Sequence, residues 1–337
     1  MKILVIGFGI AGMSVSFSFF REGNEVVVVD EGKAHTASSI AAGIVNPVVF
    51  KRLTMSWRAS EFIPVAEKFY TDWENLLQKK FFHPKTILKL ISSTNEFNFW
   101  KQKQNDTELI DFISLEKTPE ILSTQLHETI AVGKIDHSCW LDIPLLHTEW
   151  KKFLLTKSSF REEKFYHENL VLLENSVEWK GEKFDKIIFC EGISAAQNPL
   201  LPEIPFQLSK GEMLLIESKN LSEEFILNKE IYILPIGNHL FKVGSTYNWK
   251  FENADPTEDG KQYLTDELKK ILKKEFTILQ HVAAIRPTVK ERRPLVGWVK
   301  NRKLISVKSP IGILNGLGTK GIMLAPFFSQ ELTKKII

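Results

Sequence analysis

Two residue types that build metal and disulfide sites are scarce in this chain of 337 residues, which has two cysteines and eight histidines. Cys139 and Cys190 stand in apolar surroundings typical of inert buried thiols, so we predict no disulfide framework and a reducing, cytoplasmic compartment. The histidines show no HExxH or related spacing. No metal site is therefore predicted.

Long apolar runs and a strong net charge are also missing. No stretch reaches the roughly 18 uninterrupted apolar residues that a membrane span needs, so no membrane partner is predicted. A formal charge of +3 is too small for this length to indicate a nucleic-acid partner. The sequence contains neither a GxSxG elbow nor a P-loop, which argues against hydrolase and kinase functions.

The first thirty residues follow the order of a dinucleotide-binding βαβ unit: an apolar strand, GFGIAG at residues 7–12, a helix and a second apolar strand. Gly7 permits the tight turn, Gly9 lets the backbone approach a pyrophosphate, and Gly12 lets the helix pack on the strand. Asp30 ends the second strand, where its carboxylate would accept hydrogen bonds from a ribose. The segment therefore predicts dinucleotide binding.

A secretory signal is the alternative for this segment, because Lys2 precedes a mostly apolar stretch that ends near Phe20. The glycine spacing argues against it. Bulky and charged residues also stand where a cleavage site would need small ones.

The rest of the chain alternates between segments that combine helices with buried strands and segments that are rich in strands. A long helix is predicted over 57–80, a helix capped by Asp142 follows later, and the buried strand 186–189 returns to the opening sheet. From Lys210 the pattern favours sheet strands, interrupted by one helix over 260–276. We infer two domains whose segments alternate along the chain.

A second glycine motif, GLGTKG, occupies residues 316–321. Too few residues follow it for another βαβ unit of about 30 residues. We interpret it as a helix N-terminus aimed at an anionic or electron-rich part of the same ligand. Pro326 is expected to kink this helix.

Three side chains are candidates for chemistry, each with an ordinary structural alternative. Arg286, between an apolar strand and Pro287, suits a bidentate carboxylate grip, or else pairs with a structural acid. Tyr232 projects into a pocket or packs on its sheet. Lys242 lies on the solvent face of its strand or faces a pocket.

Together these motifs resemble the FAD-dependent amine oxidoreductases that include D-amino-acid oxidase, glycine oxidase and sarcosine oxidase. Six ordered stretches carry the resemblance: the opening glycine motif, 38–47, 190–192, 231–244, 285–297 and 316–326.

The resemblance implies an α/β fold with a Rossmann-like FAD-binding domain and an interleaved α+β substrate domain on a mainly antiparallel sheet. We assign 1–80, 138–206 and 286–337 to the FAD-binding domain, and 81–137 and 207–285 to the substrate domain.

Noncovalent FAD is the implied cofactor. Its predicted contacts are Gly7, Gly9, Ile10, Ala11, Gly12, Asp30, Glu31, Ser38, Ser39, Ala41, Ala42, Gly43, Gly192, Arg286, Gly316, Gly318, Thr319, Lys320 and Gly321. Ala284 matches the cysteine that anchors FAD in sarcosine oxidase, so no covalent link is expected.

The resemblance also implies four catalytic residues. Arg286 matches the arginine that holds the substrate carboxylate, and Tyr232 falls at a tyrosine that assists it. Lys320 matches a lysine at the flavin pyrimidine edge, where it and the helix dipole would stabilise negative charge. Lys242 aligns with the lysine that promotes oxygen reaction in sarcosine oxidase.

The expected activity is oxidation of the C–N bond of an amino acid or N-substituted glycine by hydride transfer to flavin, giving an imine that water hydrolyses. The expected partners are a carboxylate-bearing amine and molecular oxygen or another electron acceptor. Residues 316–321 and 244–247 are also similar to the flavin domain of the bifunctional tRNA wobble-uridine enzyme, so a tRNA-modifying oxidase acting on a carboxymethylaminomethyl group is one alternative. A flavin-binding or partner-binding module without turnover is the other.

Overall fold

Two large sheets organise the chain, and the computed structural model describes residues 1–305 and 309–334. Within those residues the first sheet has seven strands and the second has eight. Their segments alternate along the sequence, as the texture of the sequence predicts. No helix of the described residues is long and apolar enough to cross a membrane.

The first sheet is parallel where the opening motif lies. Its strands in spatial order are Phe160–Glu162, Glu25–Asp30, Lys2–Ile6, Lys186–Phe189, Ile311–Asn315, Leu295–Lys300 and Lys303–Ile305. The first five run parallel and the last two are antiparallel additions. Buried on both faces, the parallel strands take the near-continuous β-branched sequences that this arrangement favours.

Helices cover one face of this sheet and a small sheet covers the other. The helices are Ile10–Arg21, Ala59–Leu77, Ile143–Thr156 and Gly321–Lys334, and the small sheet comprises Leu170–Leu172, Val177–Trp179 and Glu182–Phe184. Alternate residues of the strand Lys2–Ile6 enter the two resulting cores, because side chains alternate between the faces of a strand.

The second sheet is antiparallel except for one pair of strands. Its spatial order is Thr277–Arg286, Ser209–Glu217, Leu240–Gly244, Tyr232–Gly237, Ile226–Asn228, Ile87–Ile91, Ala131–Ile135 and Ile113–Glu116. Only Ile226–Asn228 and Ile87–Ile91 pair in parallel. The helix Glu258–Ile271 packs its buried leucines on the outer face, so the inner face is left for the site.

Shorter elements connect these layers. The short helices are Ala37–Ile40, Thr94–Lys103 and Glu120–Ser123, with 3-10 turns at His167–Asn169, Gly192–Gln197 and Gly318–Lys320. The short strands are Ile44–Val45, Val48–Val49, Thr54–Met55, Phe82–Pro84 and Cys139–Leu141.

The predicted fold class is confirmed, while some element bounds differ from the prediction. The helix predicted over 57–80 is Ala59–Leu77, because Arg58 and Gln78 take left-handed backbone angles at its two ends. The helix predicted over 260–276 begins two residues earlier and ends at Ile271. Asp142 is the helix cap that was predicted, and its carboxylate accepts the Leu145 N–H at 3.1 Å.

A side chain from elsewhere in the fold compensates for the backbone hydrogen bond that the proline in the last helix cannot make. The helix continues through Pro326 to Lys334, although a proline cannot donate to the carbonyl four residues earlier. That carbonyl belongs to Ile322 and accepts the buried Tyr70 hydroxyl at 2.9 Å. A side chain from another helix therefore satisfies the group that Pro326 leaves unpaired.

The strands of the two sheets fall within the domain segments proposed from the sequence, with Arg286 one residue beyond its assigned limit. The boundaries themselves remain a proposal. Residues 306–308 and 335–337 of the proposed FAD-binding segment lie outside the described residues.

Candidate cofactor and substrate site

A cavity of about 1090 Å³ lies between the carboxyl ends of the parallel strands and the inner face of the second sheet. This volume lies just above the roughly 300–1,000 Å³ of typical small-molecule sites. The edge where parallel strands end is also where open α/β sheets bind ligands. The cavity is therefore the candidate site.

The opening glycine motif forms one end of the cavity. Gly7 has φ +98°, and a Cβ there would lie 2.4 Å from the Cys190 carbonyl oxygen. A Cβ on Gly12 would lie 1.8 Å from the Gly7 carbonyl oxygen. Only glycine allows these approaches, so the helix N-terminus is held directly against the cavity.

Polar groups fix this turn in place. Asp30 Oδ2 accepts the Phe8 N–H at 2.7 Å, and Asp30 Oδ1 accepts the Gly32 N–H at 2.8 Å. Ser38 Oγ accepts the Ile10 N–H at 2.9 Å. A carboxylate oxygen has two lone pairs, so Asp30 keeps acceptor capacity toward the cavity.

Lys320 enters the cavity from the second glycine motif. Its Nζ donates to the Asn46 carbonyl oxygen and to Ser56 Oγ, both at 3.0 Å. Both acceptors are neutral, and burial lowers the pKa of the ammonium from 10.5 to about 8. One N–H of the ammonium remains for a ligand, since a lysine has three.

The depressed pKa of Lys320 predicts a pH effect on the apoprotein. Between about pH 8 and pH 10.5 the unfolded chain binds this proton more tightly than the folded chain, so the free energy of unfolding should rise with pH by about 3 kcal/mol. Lys320→Met should lack this increment. Urea unfolding of both proteins at pH 7.5 and pH 10 measures it, and parallel pH curves would contradict the predicted burial of the charge.

Arg286 also lines the cavity, without an acidic partner among the described residues. Its Nη2 donates to Ser245 Oγ at 2.8 Å and to the Thr246 carbonyl oxygen at 3.2 Å, and the guanidinium stacks 4.3 Å from the Tyr247 ring centre. Its buried Nη1 has no hydrogen-bond partner in the described part of the chain. Gly211 makes room, because a Cβ there would lie 1.9 Å from Nη2.

Arg286 makes these contacts with residues 245–257, a segment that we call the strap. Two buried charged residues hold the strap in place. Glu212 accepts the Thr257 N–H at 2.9 Å and its hydroxyl at 2.8 Å. Lys210 exchanges backbone hydrogen bonds with Asn248, and its Nζ lies 3.5 Å from Glu212 Oε1. The guanidinium is therefore fixed before any ligand binds.

Tyr232 lies beside Arg286 on the same sheet. Its hydroxyl occupies the space over Gly244, where a Cβ would approach it to 2.7 Å. Burial raises the pKa of this phenol, so it stays protonated and is a hydrogen-bond donor. Together Arg286 and Tyr232 offer the donors that a carboxylate requires.

Most of the predicted site residues line the cavity. They are Gly7, Gly9, Ile10, Ala11, Asp30, Glu31, Ser38, Ala41, Ala42, Gly43, Gly192, Tyr232, Arg286, Gly318, Thr319, Lys320 and Gly321.

Four predicted site residues are outside the cavity lining. Gly12 packs against the turn, and Gly316 packs against Val289. Ser39 is exposed, and its hydroxyl donates to the Thr36 carbonyl oxygen within the short helix. Lys242 is half-buried with its Nζ 3.5 Å from the Ala41 carbonyl oxygen, and burial lowers its pKa. It does not lie on a solvent face, and its role stays a proposal.

No sequence pattern indicated one part of the lining, residues 163–168. His167 Nε2 lies 2.9 Å from Glu191 Oε1, and Asn198 donates to Glu191 Oε2 at 2.7 Å. Glu191 lies between the strand Lys186–Phe189 and the turn that begins at Gly192, and this position is the one local signal. His167 belongs to a connection without a motif, so only the folded chain brings it to the cavity.

The chain matches a known protein family along nearly its whole length. The sequence profile of the family described as FAD dependent oxidoreductase matches residues 2–335. Glycine oxidase from Pseudomonas putida is 23% identical in an alignment 367 positions long, which covers 98% of this chain and 93% of that protein. The crystal structure of iminodiacetate oxidase from Chelativorans sp. BNC1 superposes with a TM-score of 0.79 at 17% identity, covering 99% of this chain and 95% of that one.

A third relative is longer than this chain. The bifunctional protein of tRNA 5-methylaminomethyl-2-thiouridine biosynthesis from Marinobacter nauticus is 20% identical over 372 residues, which cover 99% of this chain. The chain spans 55% of the length of that relative.

Proposed function

The chain belongs to the family of FAD-dependent oxidoreductases, and on that basis we propose that it oxidises the C–N bond of an amino acid or an N-substituted glycine. The observation that carries the substrate class is Arg286, a half-buried guanidinium in the cavity lining whose buried Nη1 is unpaired and which has no acidic partner in the described residues. An unpaired buried donor is costly, and a substrate carboxylate would satisfy it.

The residues present fit the cofactor. A glycine cradle closes around a helix N-terminus, Asp30 lies at the strand end, and Lys320 keeps a free N–H toward the cavity. When bound, FAD supplies the acceptor for the two electrons that leave the C–N bond. Ala284 lines the cavity and has no nucleophilic atom, which supports noncovalent binding.

The chain's own residues bind and orient the substrate in this proposal. Arg286 and Tyr232 hold the carboxylate, and the strap keeps the guanidinium from moving away. We assign no general base among the described residues. A neutral substrate amine suffices.

The cofactor prediction has a direct test. Purified protein should be yellow, and acid precipitation should release FAD into the supernatant because no covalent link holds it. The measurement is chromatography of the released flavin with the pellet checked for residual absorbance. Recovery of NAD alone, or flavin retained in the pellet, contradicts this prediction. Anaerobic mixing with amino acids and N-substituted glycines then tests the activity, since turnover bleaches the flavin.

A second candidate is oxidation of a carboxymethylamino group on a tRNA, which the full-chain similarity to the longer tRNA-modifying relative favours. The same carboxylate grip would serve it. Tyr247 and Trp249, 58% and 50% exposed, stand on the strap near the grip and offer faces on which bases could stack. Salt-sensitive binding of tRNA that competes with carboxylates would support this candidate; absence of tRNA binding at low salt would exclude it.

A further inference from the structure

The cavity wall beyond Tyr232 is apolar. Five cavity-lining side chains pack into one hydrophobic cluster there, and we call them the apolar wall: Ile44, Val48, Phe50, Ile87 and Ile226. Val48, Ile87 and Ile226 are at most 2% exposed. A surface of this kind binds a ligand group by removing it from water.

Sheet register places this wall next to the carboxylate grip. Tyr232 is opposite Gly244 on one side and Asn228 on the other, and Ile226 is opposite Ile87 on the next strand. Residues two apart share a face, so Asn228 and Ile226 lie on the face that carries Tyr232. One strand spacing is about 4.8 Å, which puts Ile226 and Ile87 about one and two strands beyond the tyrosine. A group of several carbons attached to the bound amino acid spans that distance.

Two lysines also face this side of the sheet, and one of them, Lys89, has its Nζ 5.9 Å from the ring centre of Phe50 in the wall. Lys89 Nζ donates to the Lys229 carbonyl oxygen at 2.8 Å and lies 3.6 Å from Glu96 Oε1. Lys242 Nζ lies against the Ala41 carbonyl oxygen. Both stand outside the cavity lining. Because Glu96 and the Lys229 carbonyl oxygen already hold the Lys89 ammonium, a second carboxylate on the substrate would meet hydrocarbon at the wall and a cation that is already paired.

We propose that the apolar wall is a side-chain subsite, which selects amino acids or N-substituted glycines carrying an apolar substituent of about three to five carbons and disfavours dicarboxylates. The inference rests on the proposed function, because it takes Arg286 and Tyr232 as the carboxylate grip. Asn228 lines the cavity at the start of the wall, and Asn46 lines it between Ile44 and Val48, where its Oδ1 accepts the Val48 N–H at 2.9 Å.

Achiral carboxylates test the subsite without knowledge of the substrate's handedness. Acetate, butyrate, 4-methylpentanoate and succinate are titrated into the FAD-loaded protein, and the change in flavin absorbance gives each Kd. Each buried methylene should strengthen binding by up to about fourfold, so 4-methylpentanoate should bind at least tenfold more tightly than acetate. Succinate should bind at least tenfold more weakly than butyrate.

Two variants locate the effect. Phe50→Ala should reduce the preference for 4-methylpentanoate over acetate by about fivefold or more while leaving acetate affinity unchanged. Phe99→Ala removes a partly exposed phenylalanine outside the cavity and should leave both affinities unchanged. Because the ratio of two ligands is compared, a general loss of folded protein does not imitate the result.

The outcomes separate the subsite from the proposed function. Equal affinities across the monocarboxylates, tighter binding of succinate than of butyrate, or an unchanged ratio in Phe50→Ala overturns the subsite alone. If no carboxylate perturbs the flavin, or if Arg286→Met leaves their affinities unchanged, the carboxylate grip falls and the subsite falls with it.

Discussion

Arg286→Met should weaken binding of acetate to the FAD-loaded protein by roughly 30-fold to several thousand-fold, because a buried charged partner is worth about 2–5 kcal/mol when removed. The guanidinium meets the strap only through Ser245, Thr246 and Tyr247, and its Nη1 is unpaired among the described residues. Removing it should leave the FAD content unchanged. Flavin absorbance titration measures the ligand, and the visible spectrum of the purified protein measures the cofactor.

Arg292→Met is the matched control for this result. Arg292 also lines the cavity but is exposed at its rim, so its loss should change acetate affinity by threefold or less. Gly211→Ala tests the same carboxylate grip by a different substitution, since a Cβ would lie 1.9 Å from Arg286 Nη2 and would displace the guanidinium. Unchanged acetate affinity in Arg286→Met would mean that the arginine only supports the strap through Ser245 and Thr246.

The backbone geometry of the glycine motif at the cavity was predictable because its signals are local. The glycines at 7 and 12 specify backbone approaches within a few residues, and Asp30 ends the adjacent strand at the spacing that the fold requires. The Ser38 contact to Ile10 joins residues 28 apart, yet both lie in motifs that the sequence shows. Short-range geometry of this kind leaves a clear pattern in a single sequence.

The substrate end was less predictable because its partners come from distant segments. The sequence singled out Arg286 but left open whether an acid pairs with it, and the answer depends on the strap and on Gly211 in a neighbouring strand. Lys242 shows the same limit, since strand alternation alone does not say which face is covered. His167 lies in a connection without motif residues, so no sequence pattern predicted its contact with Glu191.

Lys320→Met should lower the reduction potential of bound FAD and slow flavin reduction by substrate about tenfold or more, while reoxidation by oxygen changes little. The ammonium is buried with two neutral acceptors and one free N–H, so its charge is available to stabilise the negative charge that FAD gains on reduction. The N–H groups at the glycine-opened helix start should retain part of this stabilisation.

Lys242→Met is the paired experiment, and it should mainly slow reoxidation by oxygen. Among the described residues, Lys242 Nζ lies against the Ala41 carbonyl oxygen, and the side chain stands outside the cavity lining. Burial away from water lowers its pKa. Stopped-flow measurements of the two half-reactions, with the potential from a dye-linked titration, separate the two lysines. Equal effects of both variants on both half-reactions would show that at least one lysine has been assigned the wrong role. The proposal assigns flavin reduction to Lys320 and reoxidation to Lys242, and a lysine whose charge acts on both steps does not fit that assignment.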